Sequence, residues 1–285
     1  MPNLGRYHAV LGVDGEGWLW AHRHPERPYV ALSKAVLVDV IPFEGLYWRG
    51  LLTVQARWEA AGARAARAVI TASSYAADRL SEGYGIPRDR IQVVAEPFDF
   101  DRWAGRLPTA RRAPIVLAVG HAYPRKNLAS LLRAWPEVAR QRPHARLVIV
   151  GHGPEQEKLH QLALGQSSVD LPGHITFDEL QDLYAQAQVF CHPSLQENFG
   201  IAPVEALASG LGVVVHQQPA VVETVSGVPG TWVTDARSPS KLATALVEAL
   251  DGPPSWSPDR LDGLRARLDP AAVGRQMREI VEGVS

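Results

Sequence analysis

The chain has 285 residues, 46% of them hydrophobic and 21% charged, with a formal net charge of −1. Such a length suits about two domains, and such a balance excludes disorder, collagen-like repeats and the basic footprint of a nucleic-acid binder. One cysteine, Cys191, excludes an internal disulfide or a cysteine-built zinc site; with no run of ~18–20 apolar residues and no signal-peptide core, no transmembrane segment and a cytoplasmic location are expected.

Residues 9–13 form a short apolar run ending in Asp14-Gly-Glu-Gly, a strand and a turn. Residues 29–32 and 68–71 read as further strands, and between them residues 51–67 carry apolar side chains at helical spacing. Ser73-Ser74 reads as the N-cap of a helix through Ser81, followed by a strand at 91–95. Pro97, Gly105, Pro108 and Arg111-Arg112 mark residues 97–113 as a linker. Beyond it, strands at 115–119, 147–150, 189–191 and 213–215 alternate with helices at 128–141, 154–164, 178–186, 202–209 and 240–250. Short continuous apolar strands separated by helices are the pattern of parallel strands covered on both faces, so residues 110–255 are expected to form a doubly wound α/β domain. Residues 253–260 break the chain before a last helix at 270–281.

In an open parallel sheet, ligands bind beyond the carboxyl ends of the strands, where helix N-termini offer free N–H donors. After 115–119 comes Gly120-His-Ala-Tyr-Pro-Arg-Lys-Asn127, in which Arg125 and Lys126 sit beside the positive end of the next helix. Two cations there suit a diphosphate clamp, and a solvated basic turn is the alternative. After 147–150, Gly151-His-Gly-Pro allows either a close backbone approach to a ligand or an ordinary turn. After 189–191 comes the most informative stretch, with Glu197 in a loop, Asn198-Phe-Gly-Ile201 leading into a helix, and Glu205 a turn inside it. A carboxylate accepts hydrogen bonds in a fork, so each can hold neighbouring sugar hydroxyls, while the intervening N–H groups suit a phosphate. A capping loop accounts for the apolar helix but not for Glu205.

Glu197-Asn-Phe-Gly-Ile-Ala-Pro-Val-Glu205 resembles the E-x7-E motif of retaining family 4 glycosyltransferases, which have the GT-B fold. Residues 119–127 are similar to that family's phosphate loop, 147–154 to its next strand and glycine turn, 171–173 with the following helix to its nucleobase region, and 68–75 and 91–99 to the end of its N-terminal domain. The resemblance implies an α/β GT-B-like chain of two Rossmann-type domains. The expected division is a truncated acceptor-side domain at 1–107, a nucleotide-sugar-binding domain at 108–255 and a helical tail at 256–285. It implies a nucleoside diphosphate sugar as donor and no cofactor, with charged groups and helix dipoles rather than a metal stabilising the departing diphosphate. Lys126 and Arg125 would meet the diphosphate, and Glu197 the transferred sugar. Asn198, Phe199, Gly200 and Ile201 would line the donor, Glu205 would take the ribose hydroxyls, and Gly173-His174-Ile175 the base.

The sequence departs from the family in two places. His121 stands where the family usually has an arginine, and imidazole cannot replace a guanidinium fork. At the front, the opening strand–loop–helix units of that family's first domain are expected to be absent, and Lys34 occupies the position where a functional histidine often follows a strand; Lys34 is expected in the cleft with a catalytic role. The shortened domain leaves two further readings open, a catalytically impaired or partner-dependent sugar-nucleotide binder and a start lying upstream. It also predicts self-association or a covering partner. The acceptor (glycan, lipid or small molecule) is left unidentified, and epimerisation on the same fold fits the motif less well than transfer.

Three further features carry less weight. Asp99-Phe-Asp101 reads D-x-D but falls in the linker and is expected to be a turn. His121, His152, His192 and His216 each follow a strand; ordinary polar turns account for them better than a zinc site, and a donor affinity that changes between about pH 6 and 7.5 is the expected consequence. Trp58 is expected in the core, Trp18, Trp20, Trp48 and Trp103 are left open, and Glu44 and Arg49 fall in an unassigned loop.

Overall fold

The computed structural model describes residues 9–104, 112–252 and 258–284. The chain divides into two compact units, Met1–Phe98 with Ala266–Ser285, and Asp99–Arg265. The first contains, in order, β1 (Val10–Val13), α1 (Trp18–Arg23), β2 (Tyr29–Ser33), α2 (Leu37–Val40), α3 (Leu46–Ala65), β3 (Ala68–Thr71), α4 (Ser74–Tyr84) and β4 (Ile91–Val93). Its four strands are parallel in the order β1-β2-β3-β4. Both faces of β2 and β3 are covered, and alternation sorts their side chains. Tyr29, Ala31 and Val69 face Ala56, Ala60 and Ala63 of α3 and Ala76, Ala77 and Leu80 of α4. Val30, Ala68 and Ile70 face the other way. The α4 helix starts as expected, the Ser73 hydroxyl accepting from Ala76 N at 3.1 Å, and stops at Gly85 in the left-handed region.

The second unit begins with α5 (Phe100–Ala104), β5 (Ala113–Val119), α6 (Leu128–Gln141), β6 (Arg146–Val150), α7 (Gln156–Ala163), β7 (Val169–Gly173) and α8 (Phe177–Gln186). It continues through β8 (Ala187–His192), α9 (Ile201–Ala208), β9 (Gly212–His216), α10 (Pro219–Val225), β10 (Thr231–Thr234) and α11 (Pro239–Asp251). The six strands are parallel in the order β10-β9-β8-β5-β6-β7. The chain runs outward from β5 to β7, then returns to the far side of β5 with β8. The order therefore reverses between β5 and β8, which is where an open sheet opens a crevice beyond its carboxyl edge. Trp135 of α6 is wholly buried, its indole N–H donating to Ser168 Oγ at 2.9 Å. Arg112, expected in a linker, is instead a clamp: its guanidinium donates to the carbonyls of Tyr184, Ala185, Ala187 and Ser209, capping the ends of α8 and α9.

The second unit ends within α12 (Asp262–Leu268), which leads into α13 (Pro270–Gly283). Here the expected division into 1–107, 108–255 and a separate tail is corrected, because Ala266–Ser285 joins the first unit. Val273 packs with Val30, Ala68, Ile70 and Val94, supplying the second cover of the first sheet, and Phe98 N donates to Leu268 O at 2.9 Å. A sheet apolar on both faces needs that cover, and the residues that supply it lie far along the chain.

Seven elements went unread in the sequence: α1, α2, α5, β7, α10, β10 and α12. The strands β7 and β10 are the sheet edges, half-exposed, and β7 contains Asp170 and Pro172, so neither forms an apolar run. Arg49, placed in a loop, lies inside α3, and Glu44 just ahead of it. Trp58 is not in the core but 62% exposed. Asp99 makes the expected turn, its Oδ1 accepting from Asp101 N at 3.1 Å and Arg102 N at 3.3 Å. Parts of the expected linker at 97–113 and of the break at 253–260 lie outside the described residues.

Candidate active site

Two loops meet at the crevice, one after β5 and one after β8. The first is turned by Asn127, whose φ of 54° is tolerated best by asparagine among residues with a side chain. Its amide anchors the turn by donating to Ala236 O at 3.0 Å and Pro193 O at 3.3 Å. The second loop is stitched to the first: Leu195 N donates to Arg125 O at 2.8 Å, and the Ser194 hydroxyl to the same oxygen at 3.2 Å. This stitching brings Arg125 and Lys126 against Glu197.

Lys126 Nζ donates to Glu197 Oε1, His192 Nε2 lies 3.1 Å from that oxygen, and Arg125 Nη1 lies 3.9 Å from Oε2. The Arg125 guanidinium also donates to Gln196 O at 3.3 Å. Burial by itself pushes the Glu197 carboxyl upward, but the hydrogen bonds and charges of His192 and Lys126 overcome it and hold the group far below the usual carboxylate range. Glu197 is therefore an ionised carboxylate among cations. From behind, Gln218 donates to Glu197 O at 2.9 Å while its own carbonyl caps α10 by accepting from Val221 N at 3.0 Å. Thr224 of α10 donates to Phe199 O at 2.7 Å.

Gly200 enters α9 with a φ of 92°, and a Cβ there would lie 3.0 Å from Val221 Cγ2, so the turn requires glycine. A turn into α9, Glu205 Oε2 accepts from the Tyr184 hydroxyl at 3.1 Å. Burial raises the Glu205 carboxyl, and the Tyr184 hydrogen bond counters only part of that. Tyr184 is held in turn by Trp103, edge-on at 5.1 Å, and by stacked Phe190 at 5.7 Å.

The sequence-expected residues thus fall into three groups. Arg125, Lys126, Glu197, Asn198, Phe199, Gly200, Ile201 and Glu205 share the crevice between β5 and β8. His121, exposed and with Nδ1 3.4 Å from His152 O, stands at the start of the first loop, and Gly173 and exposed His174 end β7, two strands along the same edge. Lys34 belongs to the first unit, where its Nζ donates to both oxygens of Glu96 at 2.8 and 2.6 Å. The glycines of Gly151-His-Gly serve the loops themselves. A Cβ on Gly151 would fall 2.0 Å from Gly120 O and one on Gly153 2.8 Å from Ala122 N, so they let the loops after β5 and β6 touch.

Sequence reasoning missed Tyr184, Gln218 and Thr224, and read His192 only as one of four histidines. All four act on Glu197, Phe199 or Glu205 from other elements, and no spacing signals such contacts. Among the described residues no group of three histidine, cysteine or acidic side chains is placed to hold a metal ion. His216 accepts from Ala236 N at 3.1 Å through Nδ1, and burial lowers its basicity.

Residues 113–252 match the family described as Glycosyl transferases group 1. An uncharacterized glycosyltransferase of Methanocaldococcus jannaschii is 31% identical over 198 residues, 64% of this chain and 50% of the relative. The GDP-mannose-dependent alpha-(1-6)-phosphatidylinositol monomannoside mannosyltransferase of Mycobacterium tuberculosis is 32% identical over 200 residues, 62% of this chain and 51% of the relative. The chain spans about half the length of the curated relatives it matches. Among solved structures, Anabaena HepE in complex with UDP superimposes with a TM-score of 0.79 at 18% identity, covering 98% of this chain and 80% of that one. Sucrose-phosphate synthase of Thermosynechococcus elongatus follows at 0.76 and 19%, covering 98% and 75%. The two parallel-sheet α/β units and these neighbours give the chain the GT-B fold.

Proposed function

We propose that this chain, which carries a glycosyl transferases group 1 domain over residues 113–252, transfers a sugar from a nucleoside diphosphate sugar to an acceptor with retention of configuration. The observation that carries the reading is the Lys126–Glu197 pair joining the two loops at the strand reversal, with Glu205 a turn into the helix that follows. A diphosphate is doubly anionic and gains charge as the sugar departs. Lys126 and Arg125 supply that stabilisation, supported by the N–H groups at the start of α9. Donor binding draws Lys126 toward phosphate and frees Glu197 for sugar hydroxyls, while His192 keeps the carboxylate ionised and oriented.

Glu205 receives the ribose. Tyr184 fixes one of its oxygens and leaves the other to accept a hydroxyl proton. His121 takes the place of a guanidinium at the phosphates, so donor affinity leans on Arg125. Gly173 and His174 border the base, and Lys34 is assigned a catalytic role; Lys34→Ala with unchanged turnover removes it from the mechanism.

The test is calorimetric titration of the chain with UDP, GDP, UDP-glucose and GDP-mannose, the last being the donor named for the mycobacterial relatives, with Glu205→Ala as control. The expected result is saturable binding of one nucleotide that Glu205→Ala weakens at least about tenfold. Absence of binding by all four, or binding indifferent to Glu205→Ala, overturns the reading.

A further inference from the structure

Between β5 and α6, residues 120–127 carry a single guanidinium, that of Arg125. An arginine side chain has many rotamers, so the groups around it decide where its charge points. Its Nη1 donates to Gln196 O at 3.3 Å and lies 3.9 Å from Glu197 Oε2, and its Cζ lies 6.0 Å from the centre of the Tyr123 ring. Tyr123 is 36% exposed, yet its backbone is fixed. Its N–H donates to His121 O at 2.7 Å, and its carbonyl accepts from Lys126 N at 2.9 Å, opening the short turn Pro124–Lys126. On its other side the ring meets the imidazole of His121, with centroids 6.1 Å apart and planes inclined at 61°.

These contacts differ in what they leave free. A carboxylate holds a guanidinium by occupying its N–H groups and offsetting its charge. Glu197 is moreover shared with Lys126 and His192, and the donor sugar competes for it. An aromatic ring attracts the cation through its quadrupole, takes none of the five N–H groups and leaves the charge intact. Tyr123 is thus the contact of Arg125 that a bound phosphate does not have to displace.

We propose that Tyr123 is a positioning residue for the transfer, its ring holding the Arg125 guanidinium toward the second phosphate so that the site distinguishes a nucleoside diphosphate from a monophosphate. This rests on the reading that Arg125 meets the donor diphosphate. The ring carries the effect and the hydroxyl does not, so phenylalanine serves in its place, whereas leucine, apolar but without a π face, does not.

Calorimetric titration of the full chain with UDP and UMP, and with GDP and GMP, tests it, the quantity read being the ratio of diphosphate to monophosphate affinity. Arg125→Gln is expected to lower that ratio at least about tenfold. Tyr123→Leu is expected to lower it about two- to fivefold, and Tyr123→Phe to leave it unchanged, with the monophosphate affinity and the circular dichroism spectrum the same in all three. Added to Arg125→Gln, Tyr123→Leu should have no further effect, because no guanidinium remains to be positioned. Diphosphate and monophosphate affinities falling together in Tyr123→Leu would mark a merely structural role and overturn the proposal. A ratio lowered by Arg125→Gln but not by Tyr123→Leu, or lowered as far by Tyr123→Phe as by Tyr123→Leu, also overturns it and leaves the donor site standing. Binding of none of the four nucleotides, or a ratio indifferent to Arg125→Gln, overturns it together with the donor reading.

Discussion

Three carboxyls withdrawn from water, Glu197, Glu205 and Glu59, end in opposite states, and the difference lies in their neighbours. Glu197 has Lys126, Arg125 and His192 within ion-pair reach and stays ionised. Glu205 has the Tyr184 hydroxyl and is raised. Glu59, on the inner face of α3, accepts from the Tyr84 hydroxyl at 2.9 Å and the Gln55 amide at 3.0 Å; burial, with Asp14 nearby, pushes its pKa up to about 7. A carboxyl whose pKa is raised by folding contributes stability that is complete below its ordinary value and lost as pH climbs through the raised one. Unfolding of the first unit is therefore expected to become easier by about 3 kcal/mol between about pH 4.5 and 7.5. Glu59→Gln should flatten that slope in urea titrations across the same window. At Glu205, Tyr184→Phe should cost about tenfold in nucleotide affinity while leaving turnover at saturating donor nearly unchanged. A loss confined to turnover would instead place Tyr184 in the chemical step.

Loops and helices show how much of the site is held from elsewhere. Glu197 is presented by a loop tied to Arg125, to Gln218 and, through Phe199, to Thr224. Gly151 permits the neighbouring contact, and Gly151→Ala would place a methyl group against Gly120 O. That variant should lose about 3 kcal/mol of stability and release the basic loop, seen as a lowered Tm together with weaker nucleotide binding. The helix at 128–141 was legible to the residue because a continuous apolar face announces itself. The helix at 51–67 was misplaced at its start, and Trp58 misassigned, because α3 is apolar on two sides and periodicity cannot say which side faces the core. Edge strands β7 and β10 carried no such signal.

For the molecule as a unit of folding, the return of the C-terminal helix matters most. Val273 closes a core otherwise built from Val30, Ala68, Ile70 and Val94, and Arg67 ties the end of the chain by donating to Val284 O at 2.8 Å. Val273→Asp, which buries a charge without a partner, should destabilise the first unit by about 3 kcal/mol or more. Calorimetry should then show an earlier transition for that unit, and the second, which does not contain α13, should keep its own. A single unchanged transition would mean that the helix is not part of the first core.

By itself the sequence determined the alternation of buried strands and helices, and with it the expectation of parallel sheets with ligands beyond their carboxyl edge. It also placed Lys126, Glu197 and Glu205 in the stretches that follow two of those strands, since periodicity and spacing are local properties that a chain carries before it folds. Only the tertiary structure decided the order of the strands, that the loop of Lys126 meets that of Glu197, that the tail covers the first sheet, that Tyr184, His192 and Gln218 hold the carboxylates, and that the outer side of α3 stays in solvent. Each of those depends on which distant surfaces meet, and burial and hydrogen-bond partnership become defined only when they do.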